Sequence, residues 1–199
     1  MADGLEGIDG VAVTAWLADR LENLETPLDF ELLAGGHSNL TYRVTDRAAN
    51  TYVLRRPPLG HVLQSAHDMG REHKIIFALQ GSAVPVATTV GLCVDDSVND
   101  APFYVMNYVA GPVLHNHEAA AALSEEDRAA LGLHVIDVLA ALHQIDPDVV
   151  GLGDLGRKEA YLQRQMKRWV TQWGATKTHE VPAMDESTRL LAERMPEQV

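Results

Sequence analysis

The hydrophobic period changes twice along this chain, and that limits what it can fold into. Between residues 11 and 24, Val13, Trp16, Leu17, Leu21 and Leu24 recur at helical spacing and share one face, and Pro27 closes the segment. From Phe30 onward the apolar residues alternate with polar ones. "FELLAGG", "LTYRVT" and "TYVLRR" read as three strands, the last two joined by "DRAAN", whose Asp46 and Asn50 suit a hairpin turn. Residues 67–80 return to helical spacing, with Met69, Ile76, Phe77 and Leu79 available for burial, and "VPVATTVGLCVDD" and "APFYVMNYVAG" add two strands. The pattern predicts an α+β fold, with residues 30–110 forming a five-stranded antiparallel sheet that carries one helix containing Glu72.

After Gly111 and Pro112 the pattern is helical throughout. Ser124 followed by Asp127 resembles a capping box, and Leu131, Val135, Val138, Leu139 and Leu142 line one face beyond it. A Gly/Asp/Pro loop, "DPDVVGLGDLG", precedes a helix with Leu162, Met166, Trp169 and Trp173 in register; "DESTRLLAERM" predicts a last helix. The expected division is residues 1–111 and residues 112–199.

Charge and cysteine content narrow the function. A net charge of −12 removes the basic footprint that nucleic acid or an anionic membrane requires, though a local cation can still hold one small anion. The single Cys93 allows no disulfide within the chain and points to a reducing cytoplasm. The start "MADGLEGIDG" lacks the basic and apolar regions of a signal peptide, and no apolar run reaches membrane-spanning length.

The glycine pair in "ELLAGGHSNLTYRVT" is the feature with chemistry in it. The Walker A string is absent. A dinucleotide fingerprint needs a helix after the glycines, and "LTYRV" reads as a strand. Two readings remain: an ordinary hairpin turn, and the strand–loop–strand cover that kinases fold over nucleotide phosphates. Its surroundings match the second. Arg55 on the next strand can put a cation beneath the loop, Glu72 on the following helix can pair with it as a two-pronged carboxylate partner, and "FYVMNYVAG" breaks into a Gly-Pro linker like a hinge.

The strings "GGHSNLTYRV", "YVLRRPPLG", "SAHDMGREHKIIFAL", "PFYVMNYVAG", "LAALHQID" and "VGLGDLGR", in this order over roughly residues 30–157, resemble the aminoglycoside phosphotransferase-like family of small-molecule kinases, in the branch associated with acyl-CoA dehydrogenases. The resemblance implies a protein-kinase-like N-lobe followed by the helical start of a C-lobe, with ATP and Mg²⁺ as cofactors. It implies that Gly35, Gly36, His37, Ser38 and Asn39 lie over the phosphates, that Arg55 pairs with them and with Glu72, that Val53 and Met106 enclose the adenine, and that the backbones of Asn107 and Val109 bond its edge. Arg55 stands where the family usually has a phosphate-pairing Lys or Arg, and an Arg in place of Lys keeps the charge but offers a fork.

The family's His-Gly-Asp-x-x-x-x-Asn catalytic loop is absent from this sequence, and neither "HVID" nor "HQID" has an Asn at the required spacing. The resemblance therefore implies the nucleotide-gripping half of a phosphotransferase that acts on a small-molecule hydroxyl, cut before its catalytic base and Mg²⁺ ligands. The alternative is an inactive kinase-like module that binds a nucleotide or a partner. No catalytic or metal-ligating residue is assigned. "HNHE" at 115–118 reads as a polar loop, His143 as structural, Cys93 as inert, and Trp16, Trp169 and Trp173 as core or lobe-contact residues. The expected partners are a nucleotide, a small-molecule substrate and, through exposed C-lobe helices, a second copy of the chain.

Overall fold

The computed structural model describes residues 5–33, 39–60 and 67–197. Five strands form one sheet: β1 (Asp29–Leu32), β2 (Leu40–Thr45), β3 (Thr51–Arg56), β4 (Thr89–Cys93) and β5 (Phe103–Asn107), in the order β1-β2-β3-β5-β4. Every neighbouring pair is antiparallel, as the alternation predicts. The β2–β3 turn is closed by Asp46, whose Oδ1 accepts from the Asn50 backbone N–H at 2.8 Å and whose Oδ2 accepts from the Asn50 side-chain amide at 2.8 Å.

Alternation gives the sheet two different faces. One carries Tyr42, Val44, Leu54, Phe103 and Val105, all fully buried, and packs against Val13, Trp16 and Leu17 of α1 (Gly10–Ala18). Trp16 meets Phe103 edge-to-face at 5.0 Å between ring centroids. Its ring also lies 3.4 Å from where a Cβ on Gly91 would stand, beside an irregular register between Thr89 and Gly91. The other face carries Thr41, Arg43, Val53, Arg55, Tyr104 and Met106, and α2 (Met69–Leu79) packs on its β4–β5 side.

α1 is shorter than the spacing predicts. The Arg20 guanidinium donates to the Trp16 carbonyl at 2.8 Å, and the Arg20 N–H turns to Leu17 O at 3.0 Å, so the α-helical ladder ends. Leu21 and Leu24 still reach the core from the turns that follow. A short helix that periodicity did not reveal, α3 (Asp96–Asn99), lies between β4 and β5, capped by Asp95 accepting from Ser97 N at 2.9 Å. Phe77, expected to be buried, is 62% exposed and stacks on His73 of its own helix.

Contacts divide the chain into two units, residues 1–153 and 154–199. The first includes α4 (His117–Ala121) and α5 (Glu125–His143); Ser124 caps α5 by accepting from Asp127 N at 3.0 Å. "HNHE" is thus partly helical, with Asn116 as its cap rather than a plain loop. The second unit holds α6 (Tyr161–Thr176) and α7 (Pro182–Glu193), which contact each other. None of the four helices has a buried residue, and Trp169, expected in a core or at a lobe contact, is 57% exposed and does not lie in a core. No helix among the described residues is long and apolar enough to cross a membrane.

Candidate functional site

The candidate residues Val53, Arg55 and Met106 lie on the sheet face away from α1. Thr41, Arg55 and Tyr104 form one cross-strand row: Arg55 is the register partner of Thr41 on β2 and of Tyr104 on β5. Arg43, Val53 and Met106 form the next row on the same face. Two residues along a strand place the rows ~7 Å apart. Val53 is buried and Met106 partly so, which sets an apolar patch beside a cation.

Arg55 and Glu72, 17 positions apart, are paired: Arg55 Nε donates to Glu72 Oε2 at 2.7 Å. Asp68 starts α2 by accepting from Arg71 N at 2.9 Å, which turns Glu72 in the first turn toward β3. The pair is not the two-pronged one expected. Arg55 Nη1 donates instead to Thr41 Oγ1 at 3.2 Å, and the second Glu72 oxygen, Oε1, accepts from Asn39 Nδ2 at 2.9 Å. Each partner has one prong drawn off by a neighbour. Tyr104 adds its hydroxyl, donated to Glu72 Oε2 at 3.1 Å. Burial, reinforced by the Glu72 charge, raises the Tyr104 phenol well above its ordinary range, so it stays a donor. Among the described residues, Arg55 Nη2 makes no hydrogen bond, and the side chain keeps 30% exposure. A partly exposed cation of this kind can take an anion.

Gly35, Gly36, His37 and Ser38 lie outside the described residues. Asn39 is buried, with its amide turned to Glu72 and to His67. Beyond β5, Asn107 and Val109 are exposed. The Asn107 N–H is taken by Thr88 O at 2.8 Å, so its backbone has only a carbonyl to offer a ligand. Thr41, His67 and Tyr104 were not singled out from the sequence. Alternation alone puts Thr41 on the Arg55 side, but the register that aligns three strands is not written in any one of them.

A cavity of about 1200 Å³ opens elsewhere, lined by Arg56 rather than Arg55. Its wall combines apolar residues with Glu6, Asp9, Asp29 and Asp100, whose charges repel a polyphosphate.

Comparison with known proteins agrees with this geometry. Residues 29–199 match the model of the phosphotransferase enzyme family, APH. Acyl-CoA dehydrogenase family member 10 of Mus musculus is 34% identical over 174 residues, covering 86% of this chain and 16% of that protein. Acyl-CoA dehydrogenase family member 11 of the same species is 35% identical over 162 residues, covering 81% and 20%. The chain thus spans about a fifth of the length of these relatives. The crystal structure of a "putative aminoglycoside phosphotransferase" from Ralstonia eutropha superposes with a TM-score of 0.80 at 33% identity, over 96% of this chain and 54% of that one. The five-stranded antiparallel sheet with its helices is the phosphotransferase fold, and the chain belongs to the APH family of phosphotransferase enzymes.

Proposed function

We propose that this chain binds ATP on the Arg55 face and is the nucleotide-holding part of a kinase that phosphorylates a hydroxyl group of a small molecule. The observation that carries the reading is the Arg55–Glu72 pair at 2.7 Å, one row from Val53 and Met106. The apolar pair Val53 and Met106 suits an adenine ring, and Arg55, held by Glu72 and Thr41, suits the phosphates. Its charge offsets theirs, and its fixed stem orients them without further ordering. In this reading the exposed residues Asn107 and Val109 meet the adenine edge. Asn39 joins the site through Glu72.

Mg²⁺ is the metal such a transfer uses, neutralising phosphate charge when bound. Among the described residues no three of His, Cys, Asp and Glu are grouped to hold a metal ion, so no ligand is assigned. No residue of this chain is given the role of catalytic base, because the catalytic loop motif is absent from its sequence. The relatives named as acyl-CoA dehydrogenase family members favour a hydroxylated acyl compound as the phosphate acceptor. The single buried Cys93 fits a reducing cytoplasm. The apolar residues exposed along α5 suit contact with a second copy of the chain.

Calorimetric titration with a non-hydrolysable ATP analogue tests the reading, using the wild type, Arg55→Ala and Arg55→Lys. Saturable binding that weakens at least about tenfold in Arg55→Ala, with Arg55→Lys between, supports it. Equal binding by Arg55→Ala, or no saturable binding by the wild type, contradicts it.

A further inference from the structure

Behind the Arg55–Glu72 pair lies a second layer of polar groups, Asn39 and His67, of which His67 has no part in the nucleotide reading. Asn39, immediately before β2, is 5% exposed. His67, immediately before the Asp68 cap of α2, meets it across 28 positions: His67 Nδ1 lies 2.6 Å from Asn39 Oδ1. On its other side Asn39 Nδ2 lies 2.9 Å from Glu72 Oε1. The three side chains form one line, His67–Asn39–Glu72, ending on Arg55 at 2.7 Å.

The direction of each bond in that line follows from chemistry. Glu72 faces a guanidinium and is an acceptor only. Asn39 must therefore turn its NH₂ toward Glu72; the flipped amide would set two oxygens against each other 2.9 Å apart. That leaves Asn39 Oδ1 facing His67, and an oxygen can only accept. His67 Nδ1 must then carry the proton. A neutral imidazole has two tautomers, and the neighbouring bond decides between them. Here the chain selects Nδ1–H. Protonation at Nε2 leaves Nδ1 a donor, so the line holds in both charge states.

We propose that His67 is a positioning residue: through Asn39 it fixes the Glu72 carboxylate, and so sets the direction in which Arg55 meets a ligand. The effect on ligand affinity rests on the nucleotide reading above; the tautomer and the Arg55 contact do not. Two segment entries, one to β2 and one to α2, are tied at the carboxylate that holds the cation. Without His67 the Asn39 amide is free to rotate, and among the described residues Glu72 is left with Arg55 and Tyr104.

The test has two arms on the full chain. The first needs no ligand. Long-range ¹H–¹⁵N spectra at about pH 8.5, above the ordinary histidine range, report the neutral tautomer of His67. The expected result is Nδ1–H in the wild type and release to Nε2–H in Asn39→Leu. Hydrogen exchange of Arg55 Nε–H at about pH 6 should be faster in His67→Phe than in the wild type or His67→Gln, whose amide can still donate to Asn39. A wild-type Nε2–H tautomer, or Arg55 exchange unchanged in His67→Phe, overturns the proposal. The second arm is affinity for a non-hydrolysable ATP analogue. His67→Phe should weaken it about fivefold, the size of one net hydrogen bond, and His67→Gln should restore it. If the wild type binds and His67→Phe binds equally well, the positioning role is overturned. If the wild type does not bind, the nucleotide reading fails, and the first arm still decides whether His67 sets Arg55.

Discussion

Arg55 and Arg56 are consecutive in β3 and serve opposite faces of the sheet. Arg55 is 30% exposed and paired with Glu72. Arg56 is 5% exposed, and its guanidinium donates to the carbonyls of Gly7, Pro57 and Asn99. One arginine is available to a ligand; the other ties the chain before α1, the end of β3 and α3 together.

The two substitutions should therefore separate. Arg56→Ala strands the buried Asn99 carbonyl and the part-buried Gly7 and Pro57 carbonyls, and is expected to cost about 3 kcal/mol of stability. Arg55→Ala leaves Glu72 able to take water and should cost about 1 kcal/mol or less, while abolishing most ligand affinity. Urea unfolding of both variants checks this; equal destabilisation would mean the faces are not distinct in role.

Alkaline stability should depend on Tyr104. Its phenol is raised in the folded chain, first by burial and then by Glu72. Above the ordinary value of about 10 the unfolded chain releases that proton and the folded chain does not, so stability falls as pH rises through about 10. Tyr104→Phe should show a shallower loss between about pH 9.5 and 11 than the wild type. Parallel curves would contradict the assignment.

Acid stability carries the opposite sign at His73. Burial lowers its pKa, beside the rings of Phe77 and Tyr104. Below about 6.5 the unfolded chain takes up a proton that the folded chain resists, so stability falls as pH drops from there and levels off below the folded value. His73→Gln should flatten that decline in urea midpoints measured from about pH 7.5 to 5.5; an unchanged slope would count against it.

The α5 face supplies a test of self-association. Leu133, Val135, Ile136 and Leu139 are 71%, 56%, 61% and 43% exposed. Sedimentation should show assemblies larger than one chain, dispersed by the double substitution Val135→Glu and Leu139→Glu. A wild-type monomer at high concentration would refute this contact.

Much of the fold was legible because alternation and capping are local. All five strands, α2 and the Ser124 start of α5 follow from patterns within a few residues. The Arg55–Glu72 pair was readable from the order of elements. What was not readable depends on neighbours across the sheet. Thr41 and Tyr104 join Arg55 only through register, and His67 reaches Asn39 only because two chain segments enter side by side. Phe77 misled because a 3.6-residue period marks a face but not what covers it. α1 ended early for a side-chain reason, the Arg20 bond to Trp16 O, that periodicity does not contain.

Hydrogen exchange read by mass spectrometry, with and without a non-hydrolysable ATP analogue, tests the central claim most directly. The account predicts that the analogue protects β3, the β5–Val109 segment and the first turn of α2, which carry Val53, Arg55, Met106 and Glu72. Segments 5–10 and 96–100, around the Arg56 cavity, should exchange as before. Protection confined to those segments, with β3 and the β5 exit unchanged, would contradict the assignment of the Arg55 face as the nucleotide site.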